Sequence, residues 1–187
     1  LDRVSEICNF NKEEISKRIK FINGDIRDKE VLDRLFFESN KSKKTISSVI
    51  HLAGLKSIEE SLLNPLSYWE SNVFGSLNLL KIMEKYQCYQ IVFSSSASIY
   101  GFSKNNYVHE NSEVNPINPY ANTKVAIENI LSQLFNSSPN RWKIACLRYF
   151  NPIGAHPSGL IGENPLGNPN NIFPHFIHIH CNTCLTL

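Results

Sequence analysis

An α/β fold built on a parallel sheet is the class this sequence predicts, and three observations carry the prediction. Short apolar runs alternate with helical patterns of ten or more residues. Connections of that length join parallel strands and lay helices against the sheet, so helices are expected on both of its faces. Each apolar run also ends in a polar or glycine-bearing segment: Gly24-Asp25, Ala53-Gly54, Ser94-Ser95-Ser96 and Tyr149-Phe150-Asn151. Open sheets of this kind bind ligands beyond the carboxyl ends of their strands, so the four segments are expected to converge on one crevice.

The elements follow in chain order. Ile19 to Ile22 reads as a short strand, and Gly24 to Asp28 as a turn into a helix over about Lys29 to Glu38. Ser48 to Ala53 has the composition of a buried strand stopped by Gly54. A helix is expected over about Asn72 to Tyr86, with Val73, Leu77, Leu80 and Met83 as its apolar stripe. Gln90 to Ser94 is the next strand. Asn118-Pro119 has the pattern of an N-cap followed by proline at the first helical position, opening a helix to about Phe135. Val125, Ile130 and Leu134 are its core candidates. Lys143 to Arg148 is the last strand, and from Asn151 onward a Pro-, Gly- and Asn-rich stretch reads as loop. Two domains are expected, at 1–150 and 151–187.

Composition narrows the function. The chain has 187 residues, 42% hydrophobic and 19% charged, which suits a globular domain with a substantial core. A net charge of +2 gives no reason to expect nucleic acid or an anionic membrane as partner. No apolar run approaches the roughly 20 residues that cross a bilayer. Five scattered cysteines are too irregular for a disulfide framework and fit a reduced, cytoplasmic setting.

Tyr120 and Lys124 are the residues with the clearest chemistry. Four residues apart on a helix, they share a face with Cβ atoms roughly 5–6 Å apart. A free tyrosine titrates near pH ~10, and a neighbouring ammonium favours its phenolate. The pair opens a helix soon after a strand that ends in three serines. A hydroxyl from Ser96 is then placed to share a substrate oxygen with Tyr120 and fix the proton's path.

Five segments occur in the order found in UDP-glucose 4-epimerases, of the extended short-chain dehydrogenase/reductase superfamily. They are Gly24 to Asp28, His51 to Lys56, Ser94-Ser-Ser-Ala-Ser-Ile-Tyr-Gly101, Tyr120-Ala-Asn-Thr-Lys124, and Arg148 to Gly159. Pro169 to Pro174 continues the resemblance. It implies a partial Rossmann-type sheet, NAD as cofactor and a UDP-sugar as substrate. Tyr120 would be the base at the sugar 4-hydroxyl, assisted by Ser96, with Lys124 on the nicotinamide ribose. Asp25 and Ile26 would meet the adenine. Leu52, Ala53, Gly54, Lys56, Asn72 and Ser94 would line the cofactor's path, with Phe150 beside the nicotinamide. Lys56, Ser96, Tyr120, Asn151, Asn171 and Ile172 would contact the UDP-sugar. His51 is expected to be a satisfied core histidine.

The resemblance also implies what the chain lacks. The family opens with a strand, a Gly-rich turn and a helix that holds the pyrophosphate, whereas no glycine precedes Gly24. The chain is therefore expected to be a fragment, missing the first βαβ portion and most of the C-terminal substrate domain, with apolar sheet faces left uncovered. Cys181 and Cys184 with His175, His178 and His180 do not make a defined zinc set, so no metal is expected. A homodimer is expected only of the complete family member. Two alternatives stay open: another sugar-nucleotide epimerase or dehydratase of the superfamily, and a non-catalytic remnant.

Overall fold

The computed structural model describes residues 2–8, 11–102 and 107–163. The chain divides into a unit of residues 24–150 and a second formed by residues 1–23 with 151–187. In the larger unit, α3 (Lys29–Lys41) leads to β1 (Val49–His51), followed by α4 (Ile58–Leu63) and α5 (Pro65–Tyr68). A π-helical turn (Trp69–Phe74) runs on into α6 (Gly75–Lys85). Then come β2 (Gln90–Ser96), a 3₁₀ turn (Ala97–Tyr100), α7 (Pro119–Ser137) and β3 (Lys143–Tyr149). The smaller unit holds α1 (Asp2–Cys8) and α2 (Lys12–Arg18). There the Asn11 side chain accepts from the Glu14 N–H, and Glu14 accepts in return from the Asn11 N–H, both at 2.9 Å. This reciprocal cap satisfies two helix-end donors.

The three strands form a parallel sheet in the order β1-β2-β3, as the alternation of runs and helices predicts. Val49 pairs with Ile91 and Ile91 with Ile144, so the register places these side chains, with His51, Phe93 and Cys146, on one face. Phe36 of α3, Leu79, Ile82 and Met83 of α6, and Ile127 and Leu131 of α7 pack against that face with Trp142. The opposite face carries Ile50, 71% exposed, and Leu147 and Tyr149, each 42% exposed. Among the described residues of this unit the helical cover thus lies on one side.

Three local expectations change. Ile19 to Ile22 forms no strand, and Phe21 stands 82% exposed. An apolar run becomes a strand only with a neighbour to pair its backbone, and among the described residues no strand pairs with this run. The helix expected from Asn72 begins earlier, at Pro65 behind Asn64, and passes through the π turn without a break. The core face of α7 is centred on Ala121, Ile127 and Leu131, while Val125, Ile130 and Leu134 are only half-buried. The cap itself is as read: Asn118 Oδ1 accepts from the Ala121 N–H at 2.8 Å, with Pro119 in the first turn.

Gly101 closes the turn that follows the serines, at φ +60°. A Cβ there would lie 2.1 Å from the carbonyl oxygen of Asn115. Both the left-handed backbone and the lack of space demand glycine. Gly101→Ala is expected to cost about 2 kcal/mol or more, read as a lowered urea midpoint. A midpoint equal to the parent's would refute this.

Candidate active site

Lys124 is the organising side chain. It is 5% exposed on the inner face of α7, and its Nζ donates to the Ser94 carbonyl at 2.8 Å. The ammonium lies 4.9 Å from the Phe93 ring centroid and 5.6 Å from that of Tyr120. Burial lowers its pKa to about 8, because the charged form has lost water. Among the described residues it has no carboxylate partner. Tyr120 is half-buried in the first turn of the same helix and meets Tyr68 edge-to-face at 6.5 Å. The carboxyl end of β2 therefore gathers Ser94, Tyr120 and Lys124, as the i, i+4 spacing suggests.

Ser96 ends β2 and caps the 3₁₀ turn. Its Oγ accepts from the Ser98 N–H at 3.2 Å and from the Ser98 hydroxyl at 2.9 Å. A hydroxyl that accepts twice from its own turn has its proton free for another acceptor.

A second constellation surrounds Asn72, which lies on the π turn and is 2% exposed. Its Oδ1 accepts from the Leu55 N–H at 2.8 Å, and its Nδ2 donates to the Leu55 carbonyl and Thr123 Oγ1 at 3.0 and 3.1 Å. Thr123 donates in turn to the Tyr120 carbonyl at 2.7 Å. Asn72 thus ties the loop of Gly54, Leu55 and Lys56 to the helix of Tyr120. Through these bonds Asn72 fixes the position of the loop. Gly54 has φ +155°, and a Cβ there would meet Asn72 Oδ1 at 3.0 Å. Leu52, Ala53, Gly54 and Lys56 are exposed along the same strand end.

Asp25 and Ile26 sit apart from this loop in sequence and differ in environment. The Asp25 carboxylate holds Arg27 through both oxygens, which brings its pKa down to about 2. Ile26 is half-buried against the core. Phe150 is 67% exposed just past β3. Asn151 belongs to the other unit and is exposed. Asn171 and Ile172 lie outside the described residues, as do Cys181, Cys184 and the nearby histidines. Among the described residues no cluster of His, Cys, Asp or Glu could hold a metal, and no helix is long and apolar enough to cross a membrane.

His51 is 4% exposed, and its Nε2 is 2.8 Å from Ser76 Oγ. Burial, with the Lys124 charge second, takes its pKa from 6.5 to about 4. The unfolded chain therefore takes up this proton first as pH falls. The stabilising contribution is complete above pH 6.5 and is lost as pH drops through 4. The loss is about 3 kcal/mol at the acid extreme. His51→Gln is expected to flatten the pH dependence of stability between those limits, and an unchanged slope would count against it.

Sequence reading missed the partners that hold these residues. Glu128, four residues after Lys124, binds Arg148 in two contacts of 3.1 and 2.8 Å and accepts from the Ser95 hydroxyl. Arg148 also donates to the Tyr100 hydroxyl and the Glu110 carbonyl, each at 2.8 Å. The i+4 spacing from Lys124 was the available signal.

A family profile described as GDP-mannose 4,6 dehydratase matches residues 1–182. UDP-glucose 4-epimerase 1 of Oryza sativa subsp. japonica is 44% identical over 178 residues, covering 93% of this chain and 49% of the relative. UDP-glucose 4-epimerase of Bacillus subtilis is 43% identical over 175 residues, covering 94% and 50%. The crystal structure of UDP-glucose 4-epimerase from Bifidobacterium longum with NAD⁺ and UDP superposes with a TM-score of 0.81 at 40% identity, over 94% of this chain and 49% of that one. The chain spans about half the length of the curated relatives it matches.

Proposed function

The chain belongs to the GDP-mannose 4,6-dehydratase family of extended short-chain dehydrogenases/reductases, and from that footing we propose that it carries the catalytic half of an NAD-dependent UDP-glucose 4-epimerase. The observation that carries the reading is the buried Lys124, held by the Ser94 carbonyl beside the ring of Tyr120.

These residues fit a dinucleotide. Lys124 spends one ammonium donor on Ser94 among the described residues, which leaves donors for ribose hydroxyls. The loop at Gly54 presents bare backbone, held in place by Asn72. When bound, NAD would supply the hydride acceptor and donor at sugar C4. Tyr120 takes the 4-hydroxyl proton at its phenol oxygen and gives it back on reduction. Ser96 keeps that oxygen in line through its free hydroxyl proton. Lys124, anchored on the Ser94 carbonyl, orients the ribose. Asp25 and Ile26 would meet the adenine, Leu52 to Lys56 the middle of the cofactor, and Phe150 the nicotinamide. Asn151, Asn171 and Ile172 would hold the UDP-sugar. The scattered cysteines suggest a reduced, cytoplasmic setting, and the resemblance implies a homodimer for the complete family member only.

The test is NAD content and turnover of the purified protein. Stoichiometric NAD and interconversion of UDP-glucose and UDP-galactose are the expected results. A protein empty of NAD and without turnover would overturn the reading.

A further inference from the structure

Tyr120, Lys124 and Glu128 follow one another at intervals of four on α7, so they form a single line down one helix face. Each of the last two grips a successive residue of β2. Lys124 donates to the Ser94 carbonyl, and Glu128 accepts from the Ser95 hydroxyl. The next residue is Ser96. Glu128 also reaches the far end of the turn that Ser96 opens, because Arg148 bridges from its carboxylate to the hydroxyl of Tyr100. The side chains of this ion pair are 14% and 22% exposed, so their hydrogen bonds face little competition from water.

We propose that Glu128 is a positioning residue for the reaction: through Ser95 at one end and Arg148–Tyr100 at the other, it clamps the 96–100 turn to α7 and so sets Ser96 against Tyr120. The inference rests on the epimerase reading for its catalytic consequence, while the clamp itself is a property of the fold. A carboxylate suits the task because it accepts from several donors at once, here a hydroxyl and two guanidinium nitrogens. Proximity makes the clamp consequential, since a displacement near 1 Å between reacting groups costs on the order of 100-fold in rate.

Ser95→Ala removes one arm of the clamp and leaves the ion pair in place. In the purified protein it is expected to lower kcat roughly 10- to 100-fold, with KM for the UDP-sugar and bound NAD changed less than about threefold. Ser95→Thr, which keeps the hydroxyl, should restore most of kcat. Amide exchange should rise in residues 96–101 of the Ala variant and remain unchanged in β1 and β3. An unaltered kcat and unaltered exchange in Ser95→Ala would overturn the proposal, as would a loss of thermal stability with parental kcat. A parent protein without turnover would overturn the epimerase reading instead, and the exchange result would then decide the clamp alone.

Discussion

Tyr120→Phe is expected to lower turnover by about 10³-fold while NAD binding and thermal stability stay near the parent values. The phenylalanine ring can keep the edge-to-face contact with Tyr68 and the position beside the Lys124 ammonium. Only the hydroxyl is removed, and no described partner depends on it. Positioned proton transfer contributes roughly 10²–10⁴ in rate, and the midpoint of that range sets the expectation. The measurement is the rate of UDP-glucose and UDP-galactose equilibration, with bound NAD quantified in the same preparation. Turnover within tenfold of the parent would remove Tyr120 from its role as the base.

Glu128→Ala is expected to destabilise the fold by about 3 kcal/mol. It leaves the Arg148 guanidinium half-buried without its carboxylate, and Ser95 without an acceptor. The close pairing also raises the pKa of Arg148, so the residue keeps its charge throughout the accessible range. Breaking a pair is costly for that reason, whereas replacing both members with apolar groups of similar volume is often neutral. Glu128→Leu combined with Arg148→Met should therefore recover much of the stability lost in Glu128→Ala. Urea unfolding of the parent, Glu128→Leu, Arg148→Met and the double variant measures the coupling. A coupling energy near zero would contradict the account.

What the sequence made legible was mostly local. The Asn118-Pro119 cap, the three paired strands and the i, i+4 spacing of Tyr120 and Lys124 all follow from nearest-neighbour chemistry, and the structure places them accordingly. Asn64-Pro65 carries the same sequence pattern, and the helix starts there, seven residues before Asn72. Long-range facts were hidden. Nothing in the spacing of Asn72, Leu55 and Thr123 indicates that one amide joins them. The run at Ile19 to Ile22 misled because apolar composition speaks of burial, while a strand needs a partner's backbone.

The π turn at Trp69–Phe74 holds one residue more than an α-helical path would need. It works as a frameshift written in side-chain azimuth: everything before it is rotated by about 100° against everything after it. Deleting a single residue between 69 and 74 should let the helix anneal into uninterrupted α form. Such a helix would be intrinsically more regular. It could not keep Asn72 against Leu55 and Thr123 while also keeping Ile82 and Met83 in the core. The irregularity is thus the phase adjuster that lets one rod serve a loop at one end and a sheet at the other.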